Sequence, residues 1–580
     1  MNHQSTAVKV DPMTLAVIKG WLEQIADEMD MILVRSAFST VISEQYDRAC
    51  GIYAAETGGT VVQGRTGLPI FVGTMQFAAG AVVQKVKHQG TEPGDIFIVN
   101  DPYVAGTHVH DVRLVKPFFY RGRLAAYLAA TGHWMDIGSS SPGGWNPRAT
   151  DIIQEGIRIP TSKIYHRGEL DEDLLGLILA NLRLPLDSRG DFQAQVNALH
   201  VGEKRLTELF DKYGPETVQT AIGELLERAE QHMRSYIQEI PDGEYRFTDY
   251  LDDDGITSEP LKVALRLTVR GSEMILDFSE SSPPCRGPYN GTVPNVISAS
   301  YIAIKHLFPD VPLNSGCFAP LSFIIPETTF LGGQFPKPHG GYIDVVGRVM
   351  DVVLGALAQA VPERAVGAPY STLPIFALAG VHPDTQRYFV AILFLGGGYG
   401  GNRESDGLVN GALPMGIARI ASVEIMEQRF PIRYRSFAIR EDSGGAGYRA
   451  GGCAAQCDVE FLGVTGVASN LGDRMKFGPF GVLGGQKGKP GSMALVQNGT
   501  LRSITKETGI QLARGDRIIM EYPGGGGYGE ARTREVELVV RDVRRGYISR
   551  ATAEEMYGVI VKESSPAVDW ELTGERRRGR

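Results

Sequence analysis

Cysteine is scarce in this sequence, and its distribution excludes a disulfide-stabilised fold. The 580 residues include five cysteines, which are too few and too scattered for a disulfide framework in a chain of this length. We therefore expect reduced thiols. Two of them have CxxxC spacing, but no second Cys or His pair lies nearby to complete a zinc site. The five are Cys50, Cys285, Cys317, Cys453 and Cys457.

Long apolar runs and an excess of positive charge are also missing. Residues 1–10 have no apolar signal-peptide core, and Arg348 and Asp351 interrupt the most apolar stretch, residues 345–361. Lys and Arg number 58 against 67 Asp and Glu, a net charge of −9, which gives no general attraction to nucleic acid or anionic lipid. The one basic run, residues 576–580, is predicted to be a solvated tail. The sequence predicts a soluble, cytoplasmic protein without a nucleic-acid or membrane partner.

Motifs for nucleotide binding and for common hydrolases are absent as well. Around Gly488-Lys489 a P-loop needs Gly at position 483 and Ser or Thr at position 490, but the chain has Leu483 and Pro490. Residues 445–450 fit a loose G-x-G-x-x-A pattern, yet the following Gly-Gly-Cys is a poor helix start. Neither HExxH nor GxSxG occurs. We predict that the chain has no nucleotide site of its own.

Glycine is abundant, with 71 residues, and the apolar pattern changes period several times along the chain. Asp11, Pro12 and apolar residues spaced by three and four predict an amphipathic helix through Ile32. Short apolar runs and glycine-rich turns at 50–86, followed by a strand-like pattern at 95–131, predict a stretch dominated by strands. The remaining elements are predicted as a helical hairpin at 192–239 broken at Gly214-Pro215, paired strands at 261–276, a buried helix at 345–360, glycine-rich strands at 366–530 and a short helix at 552–556.

This alternation predicts an α+β class with a large, composite mixed fold. We divide it into an N-terminal part with the candidate metal site at 1–190, a helical hairpin at 191–240, and a glycine-rich, strand-dominated part at 241–580.

Metal-ligating side chains concentrate between residues 100 and 138. Three of the 11 histidines, His108, His110 and His133, lie there near Asp111. The sequence predicts a hairpin of residues 112–120 and 123–131 with its turn at 121–122. This register places His133 opposite His110 and diagonal to His108, and a shift of the register by one residue stays open. Asp111 joins these imidazoles only if residues 107–111 form a turn.

His108, Asp111 and His133 then make a two-His-one-carboxylate set that favours Mn, Fe or Zn over Mg or Ca and leaves positions open for water or substrate. His110 is interpreted as a more exposed neighbour outside the ligand set. The alternative is that all of these are polar loop residues with hydrogen-bonded histidines.

Five separated blocks carry a resemblance over nearly the whole chain. The sequence resembles the hydantoinase B/oxoprolinase family, which includes the B components of N-methylhydantoinases, one half of 5-oxoprolinases and the metal-bearing subunits of acetone and acetophenone carboxylases. The blocks are Val99-Asn100-Asp101-Pro102-Tyr103 with Gly106-Thr107-His108 and Asp111, residues 154–160 (QEGIRIP), Asp277-Phe278-Ser279 with Arg286-Gly287-Pro288, residues 440–447 (REDSGGAG), and Tyr528-Gly529.

The resemblance implies the same ligands, because the carboxylase relatives use a His-x-x-Asp pair and a later His, as in His108, Asp111 and His133. It also implies a hydantoinase A-like partner, which carries ATP and Mg, in an α2β2 assembly. Catalytic roles would fall to Asp111, and to Glu44 or Asp47 as a base or supporting carboxylate, although a plain surface role for the last two is equally open.

Three functions follow from the resemblance. The chain is the metal-bearing subunit of an enzyme that hydrolyses a cyclic amide after phosphorylation by the partner, a subunit of an ATP-dependent ketone carboxylase, or a non-catalytic scaffold. The substrate is accordingly expected to be a small cyclic amide or a ketone.

Overall fold

The computed structural model describes residues 10–416, 419–562 and 567–578. Its first helix begins as the sequence predicts. The side chain of Asp11 accepts a hydrogen bond from the Thr14 N–H (3.0 Å), and Pro12 occupies the first helical position. The elements up to residue 238 are α1 (Pro12–Ser36), α2 (Thr40–Ser43), β1 (Arg48–Ala54), β2 (Thr60–Gln63), α3 (Pro69–Gln89), β3 (Ile96–Val99), α4 (Pro102–Ala105), β4 (Asp111–Tyr120), β5 (Arg123–His133), β6 (Ser162–His166), β7 (Glu169–Leu170), α5 (Glu172–Ala180), α6 (Pro185–Tyr213) and α7 (Pro215–Gln238).

An antiparallel sheet of seven strands dominates this first half among the described residues, in the order β2-β1-β5-β4-β3-β6-β7. Helices α1 and α6 cover it, and their apolar faces share one core with β1, β3, β4 and β5. The helical hairpin is confirmed: α6 ends at Gly214, whose φ is +78°, and Pro215 begins α7. The boundaries at 190 and 240 stay predictions.

Helix α3 lies largely within residues 50–86, where the sequence suggests only short apolar runs and glycine-rich turns, whereas β3, β4 and β5 confirm the strand-like pattern at 95–131. The apolar residues of α3 do not form one stripe, because the helix is buried on most of its circumference. Gly73 lies against helix α8 (Val293–Leu307), where a Cβ would come within 2.4 Å of Ser298 Oγ. Glycines that read as turn signals in the sequence therefore serve close helix packing here.

The β4-β5 hairpin turns at Arg121 and Gly122, as predicted, but its pairing is not uniform. An irregularity between Phe118 and Phe119 shifts the register by one residue, so that His133 pairs with Asp111. The expected pairing of His133 with His110 is therefore wrong, and the one-residue slip is the pairing found.

The second half of the described chain contains three further sheets, ordered β11-β10-β9-β8, β13-β12-β16-β19 and β14-β15-β20-β17-β18. The predicted strands at 261–276, the buried helix at 345–360 and the short helix near 552 are confirmed. The elements are β8 (Gly243–Leu251), β9 (Leu261–Arg270), β10 (Glu273–Asp277), α8, β11 (Leu321–Ile324), α9 (Tyr342–Ala360), β12 (Ile375–Val381), β13 (Tyr388–Leu393), α10 (Val423–Arg429), β14 (Ile432–Ile439), β15 (Ala455–Phe461), β16 (Thr465–Leu471), β17 (Ser492–Gln497), β18 (Thr500–Ser503), β19 (Glu507–Ala513), β20 (Arg517–Glu521), α11 (Val536–Arg544), α12 (Arg550–Tyr557) and α13 (Trp570–Arg578).

The glycine-rich segments pack backbone against backbone. Gly525 N–H donates to Gly452 O (3.0 Å), and a Cβ on Gly398 would lie 1.8 Å from the same oxygen. Glycine is required here because any side chain would collide with the neighbouring main chain. These segments therefore serve packing, and their composition needs no phosphate ligand to explain it.

Charged residues inside apolar segments find partners. In α9, Arg348 and Asp351 are fully buried and lie 2.7 Å apart. The described part of the basic C-terminal run, residues 576–578, is not simply a solvated tail, because it ends helix α13 and Arg577 donates hydrogen bonds to the carbonyls of Tyr557 and Arg534. Residues 579–580 of this run lie outside the described residues. Among the described residues, none of the helices combines the length and apolar composition that crossing a membrane requires.

Candidate metal centre

A tight turn between α4 and β4 carries the first candidate ligands. Asp101 caps α4 by accepting the Tyr103 N–H, and the chain then reverses at Gly106 (φ +76°) and Thr107 (φ +59°). His108 lies in this turn, so Asp111 at the start of β4 can face it. The sequence-based condition for Asp111 to join the histidines, a turn at 107–111, is therefore met.

The structure brings His108, His110, His133 and Asp111 into one buried cluster. Nδ1 of His108 lies 2.9 Å from Oδ2 of Asp111, and the ring centroids of His108 and His133 are 5.0 Å apart. The side chains of all four residues are at most 3% exposed. The expectation that His110 is the more exposed histidine is wrong, since it is 1% exposed.

Backbone contacts fix this cluster from several directions. Asn100 donates to Val109 O (2.6 Å), and Arg113 donates to Asp111 O (2.9 Å). The His133 N–H donates to Asp47 O (3.1 Å), which ties β5 to the segment that precedes β1. The ligand side chains are thus held on rigid elements.

The cluster has unsatisfied polar atoms that suit a cation. Within the described part of the chain, the buried Nε2 of His108 and Nδ1 of His133 have no hydrogen-bond partner of good geometry, nor do the two ring nitrogens of His110, and His108 Nδ1 and Asp111 Oδ2 have only each other. Leaving such atoms unpaired costs about 1–3 kcal/mol each, and a divalent ion bound by imidazole nitrogens and a carboxylate oxygen would satisfy them. The residues present therefore fit a transition metal.

Burial and the neighbouring groups set the protonation of these side chains. Burial lowers the pKa of His133 to about 3, so its imidazole is neutral at pH 7 and its nitrogen lone pair is free. Burial raises the pKa of Asp111, but the neighbouring His108 more than offsets it, and the pKa lies well below its ordinary value. Both side chains are in the form that a metal ion requires.

Of the two additional carboxylates predicted from sequence, Asp47 lies beside the cluster. Burial and the nearby Asp111 raise its pKa well above the ordinary value, although part of its surface stays open to an adjoining cavity. Glu44 closes helix α2, where its N–H donates to Thr40 O (2.9 Å), and it is not among the described residues that line the cavity.

The cavity next to Asp47 has a volume of about 290 Å³. Its walls are mainly apolar, and Asp47, Asn410 and Arg419 contribute the longer polar side chains. Tyr342, at the start of α9, lines the cavity and packs its ring against His108, with centroids 4.8 Å apart. The other lining residues include Leu68, Ile70, Ile343, Tyr370, Leu373, Phe394, Leu395, Leu413, Met415 and Ile420.

Sequence reasoning missed the aromatic walls of the centre. Trp145 stacks on His110, with centroids 5.9 Å apart and planes 5° apart, and Tyr342 covers His108. Glu155 positions the loop before Tyr342, since its carboxyl accepts the N–H groups of His339 (2.9 Å) and Gly340 (2.6 Å). The signals available were a Gly-Gly-Trp run at 143–145 and a Gly-Gly-Tyr run at 340–342.

The comparisons with known proteins agree with the fold and the motifs. The family model for hydantoinase B/oxoprolinase matches residues 11–531, and the chain belongs to this family. It is 31% identical to a Pseudomonas sp. (strain NS671) protein named for a proposed role as the B component of a D-/L-hydantoinase, covering 98% of both chains. It is 32% identical to the beta chain of the caprolactamase of Pseudomonas jessenii, covering 95% of this chain and 96% of the relative.

Solved structures share the whole architecture. The ATP-dependent caprolactamase of Pseudomonas jessenii matches with a TM-score of 0.90 at 29% identity, covering 98% of this chain and 100% of the other. A nucleotide-free acetone carboxylase matches with a TM-score of 0.89 at 18% identity, covering 98% of this chain and 82% of the other. The first match confirms the composite α+β fold, and the second is a likeness of fold alone. The two relatives at 31% and 32% identity are each named as one subunit of an enzyme, which implies a partner subunit.

Proposed function

We propose that this chain is the metal-bearing subunit of an ATP-dependent amidohydrolase that opens a cyclic amide after a partner subunit has phosphorylated it. The observation that carries the proposal is the buried, unsatisfied set of His108, Asp111 and His133 beside a mainly apolar cavity. The names of the relatives, hydantoinase and caprolactamase, support a cyclic amide as substrate. A purely structural subunit has no use for buried, unpaired ligand atoms, which disfavours the scaffold alternative.

In this proposal a hydantoinase A-like partner in an α2β2 assembly binds ATP and Mg, and the present chain holds Mn, Fe or Zn. His108, Asp111 and His133 would hold the ion, and such an ion would supply Lewis acidity and a water nucleophile for attack on the activated amide. Tyr342 and the apolar cavity walls orient the ring and limit bulk water. Asp47, whose pKa is raised by burial and by the nearby Asp111, lines the cavity and is the candidate group for proton transfer to the departing ring nitrogen.

The volume of the cavity suits this role. About 290 Å³ is just below the range of roughly 300–1,000 Å³ found for small-molecule sites. A single small ring with a short substituent therefore matches the space better than an extended chain.

The metal is tested first on the purified protein. We expect one divalent transition ion per chain by elemental analysis, and loss of this ion in the double variant His108→Ala/His133→Ala. Unaltered metal content in that variant would exclude the site, whatever happens to activity.

The reaction is tested with the chain co-purified with its hydantoinase A-like partner. Phosphate release and ring opening are measured with hydantoins, lactams and 5-oxoproline, and with ketones plus bicarbonate. Asp111→Asn removes a charged ligand and nearly preserves shape, so we expect ring opening to fall by at least about a hundredfold, the order of a lost catalytic group. Phosphorylation by the partner continues, and water then cleaves the O–P bond of the phosphorylated amide, which releases phosphate and returns the unopened amide. The ratio of phosphate to product therefore rises.

The matched control is Asp173→Asn, the same change at an exposed position in the first turn of α5. This variant should keep the wild-type ratio. Normal product formation by Asp111→Asn would show that the metal-centred mechanism is wrong. Carboxylation of a ketone without any lactam or hydantoin turnover would show that the enzyme is a carboxylase and not an amidohydrolase.

A further inference from the structure

We propose that His110 is a fourth protein ligand, which makes the centre a three-imidazole, one-carboxylate site that prefers Fe²⁺ or Co²⁺ to Mn²⁺ and Mg²⁺. This inference rests on the metal site of the proposed function and goes beyond it, because the set of His108, Asp111 and His133 alone assigns His110 no part in binding.

The position of the His110 ring supports ligation. Among the described residues, His108, His110 and His133 are the one group of three potential metal ligands whose donor atoms lie within 4.8 Å of one another. The ring centroid of His110 is 4.8 Å from that of His108 and 5.1 Å from that of His133. His110 thus approaches the other two imidazoles as closely as they approach each other.

The residues around His110 fix the position of its ring but leave hydrogen-bonding capacity on its nitrogen atoms unused. His110 lies parallel to Trp145, and its carbonyl accepts the N–H groups of Val112 (3.0 Å) and Trp134 (2.9 Å). Its ring nitrogens make no hydrogen bond of good geometry in the described part of the chain, where the Gly143 backbone approaches the ring, although the residue is buried. At least one nitrogen of this buried imidazole is therefore left for another partner, and leaving it unpaired is costly.

The loop that follows β5 leaves space for the His110 ring only because it has a glycine in a left-handed conformation there. Gly144 lies against His110 with φ +80°, and a Cβ there would come within 1.8 Å of two ring atoms. Only glycine gives both the left-handed backbone conformation and the space. The backbone is thus shaped around the imidazole of His110, as expected for a side chain with a defined position.

A third imidazole changes which ion is retained. Nitrogen donors strengthen binding along the series from Mn²⁺ through Fe²⁺ to Co²⁺, whereas Mg²⁺ prefers oxygen ligands. Four protein ligands fill a tetrahedral Zn²⁺ site. An ion that accepts five or six ligands keeps positions for water and substrate, and this favours Fe²⁺ or Co²⁺ as the ion that supports turnover.

The test uses Co²⁺ and Mn²⁺ as probes on the full chain after chelator treatment. X-ray absorption at the cobalt edge of the wild-type protein should show three imidazoles. In competition with equimolar Mn²⁺, the wild type should retain mainly Co²⁺. His110→Leu and His110→Asn should show two imidazoles and bind Co²⁺ on the order of tenfold to a hundredfold more weakly, with a smaller change for Mn²⁺. His88→Gln, at an exposed position near the end of α3, should behave as wild type.

Two imidazoles in the wild-type spectrum, or an unchanged Co²⁺ to Mn²⁺ ratio in His110→Leu, would overturn the role of His110 and leave the metal site itself intact. The wild-type spectrum decides the question even if both variants fail to fold. A wild-type chain that is folded by circular dichroism but binds neither ion would overturn the metal site and the proposed function together.

Discussion

The replacement Gly144→Ala tests whether the loop after β5 is built around the ring of His110. The added methyl must displace that ring, because its position lies 1.8 Å from Cε1 and Nε2. The matched control is Gly143→Ala, whose φ of +74° is similar but whose nearest neighbour is a Val390 methyl at 3.1 Å. Both variants incur about 1–2 kcal/mol for a left-handed Ala, and Gly144→Ala adds roughly 1–3 kcal/mol for overpacking. The difference between the variants isolates the contact with His110.

Global melting is a poor assay for this difference. The entropy of unfolding scales at about 2.1 cal/mol/K per residue, so a change of 2 kcal/mol moves the melting temperature of this chain by only about 2 °C. Amide hydrogen exchange of peptides spanning residues 139–150 reports local opening directly. There the Gly144 N–H donates to Ser141 O (3.0 Å) and the Asn146 N–H donates to Gly144 O (3.1 Å).

Exchange of these amides in Gly144→Ala should be roughly 5- to 150-fold faster than in Gly143→Ala, the equivalent of 1–3 kcal/mol. The same variant should lose Co²⁺ affinity, whereas Gly143→Ala should retain most of it. Equal exchange and equal Co²⁺ affinity in the two variants would refute the argument that Gly144 makes room for a positioned imidazole.

Two further predictions concern the residues that hold the centre. Asn100→Leu removes the donors to Val109 O and Ile157 O and leaves both carbonyls unpaired, at about 1–3 kcal/mol each. Metal retention, measured by elemental analysis, should therefore fall. Full retention would show that the centre does not need these two hydrogen bonds. Burial raises the pKa of Glu155 to about 8 in the folded chain, whereas an exposed Glu has a pKa of roughly 4.3. Between these two pH values the folded chain holds a proton that the unfolded chain has lost. The free energy of unfolding therefore declines as pH rises through this range. Glu155→Gln has no titrating group at this position. The free energy of unfolding of the wild type relative to this variant, measured with urea, should therefore decrease from pH 5 to pH 8. A constant or increasing difference would contradict the raised pKa.

Local signals in the sequence predicted those parts of the fold that local chemistry determines. The cap at Asp11, the break at Gly214-Pro215 and the turn at Arg121-Gly122 depend on residues close together in sequence, and all three are found. Helix α3 was missed, because burial on most sides removes the apolar stripe from which helices are recognised.

The candidate site also has parts that neighbouring residues determine and parts that depend on contacts between distant residues. The turn that brings Asp111 to His108 could be inferred from Gly106, since the residues are neighbours. The slip that pairs His133 with Asp111 arises from an irregularity at Phe118 and Phe119, which has no sequence signal. The burial of His110 depends on Trp145 and on the loop after β5, and sequence spacing carries no information on contacts across such a distance.

The residues that hold the centre and the residues that line the cavity come from different parts of the sequence. Asn100 and Glu155, which fix the turn and the loop before Tyr342, lie in the blocks that carry the family resemblance. The apolar cavity walls, such as Leu68, Leu413 and Met415, lie outside those blocks. A metal centre can therefore stay the same in shape while the cavity beside it changes. Under the proposed function, the ring that fits is set by walls that take no part in holding the ion, so substitutions in these walls should change the preferred ring without loss of metal.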